Sequence, residues 1–152
     1  MKQQSPYGAV PRNLVGDNGP SVVPGHDPSI FGYATLSPVD PVEARSFHTS
    51  TLTYTVGKLG LDDTGGIRVN WRMVSDAGRP QMGDPTAENY VTASSNGEGQ
   101  LVLEFSKLVG QRPWNESLTI YQRGGYLKEG QVITIVFGDT SGGSPGMLAQ
   151  TF

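Results

Sequence analysis

The chain has 152 residues, enough for one domain with a hydrophobic core of its own. Its 21 Gly and 11 Pro, set against only 16% charged residues, argue for many turns and short strands rather than long helices. A net charge of −3 gives no electrostatic case for nucleic acid or an anionic membrane. The absence of cysteine excludes disulfides, thiolate zinc sites and a cysteine nucleophile.

No apolar run reaches membrane-spanning length, and the first residues lack the apolar core of a secretory signal. With no cysteine either, the composition fits a cytoplasmic chain. Residues 1–29 carry Pro6, Pro11, Pro20, Pro24 and Pro28 with glycines between them. No helical or strand period survives that spacing, so an extended arm is expected. Its apolar residues, among them Val10, Leu14, Val22 and Val23, suggest an arm laid on a surface rather than free.

From residue 30 to 152 the pattern is one of strands and turns. A short strand is expected over 30–36, and Pro38 and Pro41 confine the next stretch to an edge or a loop. Residues 48–56 alternate, with Leu52, Tyr54 and Val56 on one face and threonines on the other. Asp62-Asp63-Thr64-Gly65-Gly66 is a turn, and residues 67–73 alternate apolar with polar as a half-buried strand. A long loop follows over 75–88. Strands over 90–93 and 101–105 flank Asn96-Gly97-Glu98-Gly99, which reads as a hairpin turn. Strands over 118–121 and 131–137 complete the set.

Seven short strands at this spacing indicate an all-β chain, an antiparallel β-sandwich. Trp71 on an inward face, where immunoglobulin folds often keep a core tryptophan, and the corner Leu127-Lys128-Glu129-Gly130-Gln131 point to an immunoglobulin-like version. The last strand should begin near Ala149, and the sequence stops at Phe152, so an incomplete final strand is expected. Such a strand leaves an open edge that seeks a partner, with Met147, Leu148 and Phe152 as its apolar anchors.

Leu52-Thr53-Tyr54-Thr55-Val56-Gly57, the run Gly65-Gly66-Ile67-Arg68-Val69-Asn70-Trp71-Arg72, Ser75-Asp76-Ala77-Gly78-Arg79-Pro80-Gln81 and the glycine-rich segment 137–146 carry a family resemblance. From about Asp27 onward the chain resembles the region N-terminal to the catalytic domain in a family of large bacterial proteins of uncharacterised function. Those proteins carry a metallohydrolase-like domain related to the polymerase and histidinol phosphatase superfamily. The resemblance implies an accessory β-sandwich. The family's histidine-rich metal-binding part is absent here, so hydrolase activity would have to come from another chain.

No catalytic constellation stands out. His26 and His48, with Asp27 and Glu43, are the only histidine-centred metal ligands on offer, and neighbouring His26 and Asp27 diverge in an extended chain. The Asp62–Asp63 and Asp139 loops lack the acidic count of a calcium loop. The 138–146 segment has no lysine and no helix behind it, so it is not a phosphate loop. Arg68 and Arg72 share a strand face and read as a solvated face with ion pairs. No metal and no cofactor is expected.

Two functions follow. The first is a non-catalytic interaction module that docks, through its arm and open C-terminal edge, onto a larger catalytic subunit or another copy of itself. Removing residues 146–152 should then leave the sandwich folded but abolish assembly. The second is a self-sufficient enzyme or small-ligand-binding protein with a site in the loops 75–88, 107–117 and 138–146. That site would need Asp76, Arg79, Asp84, Arg112, Trp114 and Asp139 to converge in a concave pocket.

Overall fold

The structure is a computed structural model and describes residues 27–73, 75–109 and 113–151. The arm expected over 1–29 therefore lies outside the described residues as far as His26. Its last residues are not extended. Asp27 caps a single helical turn, α1 (Pro28–Phe31), by accepting the Ser29 N–H at 2.9 Å, with proline at the first helical position. Gly32, at φ 84°, turns the chain into β1 (Tyr33–Ser37), so the strand expected over 30–36 starts three residues later.

Two antiparallel sheets face each other. Four strands, β1, β3 (Ser50–Thr55), β8 (Val132–Phe137) and β5 (Val91–Ser95), form one sheet in the order β1-β3-β8-β5. The other, in the order β4-β7-β6, contains β4 (Gly66–Trp71), β7 (Glu116–Arg123) and β6 (Gln100–Ser106). A two-residue ladder joins β2 (Phe47–His48) to β9 (Met147–Leu148). No helix among the described residues is long and apolar enough to cross a membrane.

The alternation read from the sequence is what builds the core. Register places Leu52 opposite Ile135, which also faces Ala93, so these three share one side of the larger sheet. Across from them, Ile120 lies between Ile67 and Leu103, and Leu118 between Val69 and Phe105. Leu118, Ile120, Ile133 and Ile135 are fully buried, each contributing about 1.5–3 kcal/mol relative to an exposed side chain. Trp71 joins the layers, edge-on to Phe105 in its own sheet and to Phe137 in the other, at centroid distances of 6.5 and 5.7 Å.

The connection at Asn96–Gly99 is not a hairpin. Strands β5 and β6 belong to different sheets, and the segment between them is a crossover. The Asn96 carboxamide oxygen accepts the Val132 N–H at 2.8 Å, and buried Gln122 donates Nε2 to the Glu98 carbonyl at 2.6 Å. These side-chain bonds pin the turn to one strand of each sheet. With the two-residue strands set aside, the seven longer strands divide four and three, as in an immunoglobulin constant domain. Their order differs: the seventh long strand, β8, lies between the second and the fourth, where the fifth lies in that domain.

The final strand is short but not unpaired. Ala149 donates its N–H to Ser46 O at 2.9 Å and accepts from Arg45 N at 3.2 Å. On its other side Leu148 O accepts from Gly78 N at 2.9 Å, and the Asp76 carboxylate accepts from Thr151 N at 2.7 Å. Residues 147–151 are thus held between the 45–48 segment and the 75–78 loop.

Candidate functional site

The carboxylates singled out in the loops are used locally. Asp84 Oδ1 accepts from both N and Oγ1 of Thr86, at 2.9 and 2.7 Å. Asp139 accepts from the Thr92 hydroxyl at 2.6 Å and from Ser141 N at 2.9 Å. Hydrogen bonds hold both carboxyls below the usual range: for Asp84 the Thr86 hydroxyl first and then its N–H, for Asp139 the Thr92 hydroxyl first and then Ser141. Both shifts run opposite to what a general acid poised near neutral pH requires. Asp76 ties down the tail, accepting from the N–H and hydroxyl of Thr151.

A shared sequence signal explains these roles. Asp27-Pro28-Ser29, Asp62-Asp63-Thr64, Asp84-Pro85-Thr86 and Asp139-Thr140-Ser141 all place Ser or Thr two residues after Asp. In all four the aspartate accepts the N–H two residues on, which is the Asx-turn geometry. The sequence already reads residues 62–66 as a turn, and the shared spacing marks the other three in the same way.

The remaining loop residues do not complete a site. Arg79 is 58% exposed and sits 3.9 Å from the Glu116 carboxylate, a surface pair of small energetic weight. Trp114 is half exposed beside the start of β7. Arg112 lies outside the described residues, as do His26 and Phe152. Arg68 donates to the Thr119 hydroxyl at 3.3 Å, whereas Arg72 lies one residue beyond the end of β4 and is exposed. Among the described residues no group of three His, Asp or Glu side chains could hold a metal ion.

A concave feature lies elsewhere. A cleft of about 530 Å³ opens between the β1–β3 edge of one sheet and β4 of the other. Leu36, Val42, Leu52, Trp71, Met147 and Leu148 give it apolar walls, and His48 and Ser50 supply polar groups. The His48 Nδ1 atom is buried with no hydrogen-bond partner. Among the described residues no Asp, Glu, Lys or Arg side chain lines the cleft. Apart from His48, its walls are mainly apolar contact area.

Strand β1, which forms one lip of this cleft, is an edge strand paired, among the described residues, only with β3, and all five of its residues are exposed. Large apolar side chains cluster on it and on the segment that follows: Leu36 is 50% exposed and Val39 68%, with Tyr33, Val42 and Phe47 similarly open. No charged residue occurs between Asp27 and Asp40. The usual protections of a sheet edge, an internal Lys, Pro or bulge, are missing from β1.

The anchors expected at the C-terminal edge are placed differently. Met147 is buried at 6% and belongs to the core, because β9 crosses the end of the sandwich and seats it against that cluster. Leu148 is half-buried, with its N–H accepted by Asn89 Oδ1 and its carbonyl accepting from the Gly78 N–H. The open main-chain edge that adjoins the apolar cleft is β1, near the beginning of the described residues.

No family model matches the chain, and no curated protein or solved structure matches it either.

Proposed function

We propose that this chain is a non-catalytic interaction module that docks onto another chain, either a larger subunit or a further copy of itself. The observation that carries the reading is the fully exposed, uncharged edge strand β1, set beside an apolar cleft. An extended segment can add to such an edge through main-chain hydrogen bonds, while its alternate side chains enter the pocket alongside. Each of those bonds contributes only about 1 kcal/mol net, so apolar burial at roughly 25 cal/mol per Å² supplies the rest. Leu36, Val39 and Val42 are the exposed apolar groups in place to do so.

This surface takes over the role that the sequence reading gave to the C-terminal edge. The resemblance to an accessory region ahead of metallohydrolase-like domains fits the same reading, with any catalysis on a different chain. A cytoplasmic location belongs to the proposal as well. Commitment of Asp76, Asp84 and Asp139 to local hydrogen bonds weighs against a ligand site in the loops.

The test is the native mass of the assembly isolated from its source, with each chain identified by mass spectrometry, for the wild type and for Leu36→Asp. The expected result is a stoichiometric complex that the substitution dissociates while the circular dichroism of the domain is unchanged. A wild-type chain isolated only as a monomer overturns the proposal.

A further inference from the structure

We infer that the partner strand for β1 is β1 of a second copy, joined antiparallel across a two-fold axis that passes by Thr35. The inference rests on the interaction reading and names its partner.

Self-pairing follows from three properties of the strand. First, β1 is neutral from end to end, as are its flanks between Asp27 and Asp40, so two copies meet without like-charge repulsion. Second, its side chains divide by face in a way that survives the two-fold. Leu36 lines the cleft, and Ala34, two residues away, lies on the same face. Antiparallel pairing about Thr35 sets Ala34 against Leu36 of the second copy, apolar against apolar and small against large. Tyr33 falls opposite Ser37, and Thr35 opposite itself.

Third, the outer face of the sheet continues across the join. Register aligns Thr35, Thr53, Thr134 and Ser94 in one row and Ser37, Thr51, Val136 and Thr92 in the next. That face carries no charged side chain on any of its four strands. Doubling the sheet at β1 makes an eight-stranded surface with the hydroxyl row unbroken at its centre. On the inner side it brings the two clefts together along the Leu36 lips, and Val39 and Val42 of each copy lie beside the junction.

Thr35 decides the matter, because the proposed axis sets this residue against its own copy. Purified wild-type chain is expected to sediment as a reversible dimer that gives way to monomer on dilution. Thr35→Lys alone and Thr35→Glu alone each place like charges opposite one another and should weaken the dimer about five- to tenfold. An equimolar mixture of T35K and T35E should restore it, with the mixed dimer identified by native mass spectrometry. Each variant is compared with wild type by circular dichroism, so that loss of fold is not read as loss of pairing.

Wild-type chain that stays monomeric at several hundred micromolar overturns the inference. So do single variants that dimerise like wild type, or a mixture that stays monomeric. If the purified chain is monomeric but the assembly from its source contains a different chain lost on Leu36→Asp, the interaction reading stands and only the second copy is excluded.

Discussion

The carboxamide oxygen of Asn89 accepts the Leu148 N–H at 2.9 Å, tying the end of the long 75–88 loop to the final strand. Asn89 holds a left-handed backbone conformation, φ 64°, and its own N–H donates to Gly146 O at 2.8 Å. One residue thus braces the tail through main chain and side chain together. Asparagine suits the position, since it tolerates that backbone region better than other side chains of its size.

Replacing Asn89 by Ala should destabilise the domain by about 2–4 kcal/mol, because a buried N–H loses its acceptor and Ala is strained at positive φ. Asn89→Gly should cost less, since it loses the bond but relieves the strain. Gly78→Ala should be coupled to both, as a Cβ there would stand 1.8 Å from Asn89 Oδ1. Urea unfolding of the single and double variants checks the order and the non-additivity. Equal costs for Ala and Gly would show that the backbone conformation carries no strain.

Residues 146–151 are a structural part of the sandwich. Met147 lies in the core, and the segment after it is hydrogen-bonded on both sides. Met147→Ala should therefore cost about 2–5 kcal/mol, and removal of 146–152 should lower stability further instead of leaving a folded domain unable to assemble. Thermal and urea unfolding of the two variants provide the comparison. A truncated chain as stable as wild type would return the tail to the role first read from the sequence.

The Asp139 carboxyl is held below its ordinary range by Thr92 and Ser141. A folded-state pKa below the unfolded one gives stability that is fully present above the unfolded value of about 3.9. That contribution is lost as pH falls through the folded value. Asp139→Asn should consequently lower the urea midpoint at pH 7, and the gap from wild type should close toward pH 3. A gap independent of pH would mean that the charge of Asp139 does not matter to the fold.

Gly57 is where α1 meets the sheet. A Cβ at this position would come within 2.3 Å of Gly32 N and 2.4 Å of Ile30 O, both backbone atoms that can yield only if the helical turn moves. Gly57→Ala should detach that turn, breaking the bonds from Lys58 N to Ser29 O and from Leu59 N to Ile30 O. Amide exchange should speed up at Lys58, Leu59 and β1, while β7 and β8 keep their protection. Uniform acceleration throughout the chain would show that α1 and the core unfold as one unit.

Strands were legible where burial imposes a period of two. Residues 67–71 alternate in the sequence and alternate in the structure, while the apolar run 132–137 reads as a strand although its alternation shows only in burial. Which sheet each strand joins was not legible. The Asn96–Gly99 turn has the local chemistry of a hairpin, and the bonds that make it a crossover come from Val132 and Gln122, remote in sequence. Asp84 and Asp139 drew notice as ligand candidates although their Asp-x-Ser/Thr spacing already assigned them to turns. Edge strand β1 escaped notice because what matters there is the missing neighbour, a property of sheet order and not of composition.

The bracing of residues 147–151 also bears on the order of events during synthesis. Their partners lie at Arg45 and Ser46, at Asp76 and Gly78, and at Asn89, all translated well before them. A nascent chain carrying every strand through β8 still lacks Met147 in its core and leaves the Asn89 acceptor unfilled. Closure waits for residues 147–151 to emerge from the ribosome, and pairings between remote segments are slow to form once they do. During that interval the unfilled seam at Phe137 and the bare edge of β1 are exposed together, so the growing polypeptide passes its point of greatest aggregation risk just before it becomes a finished domain.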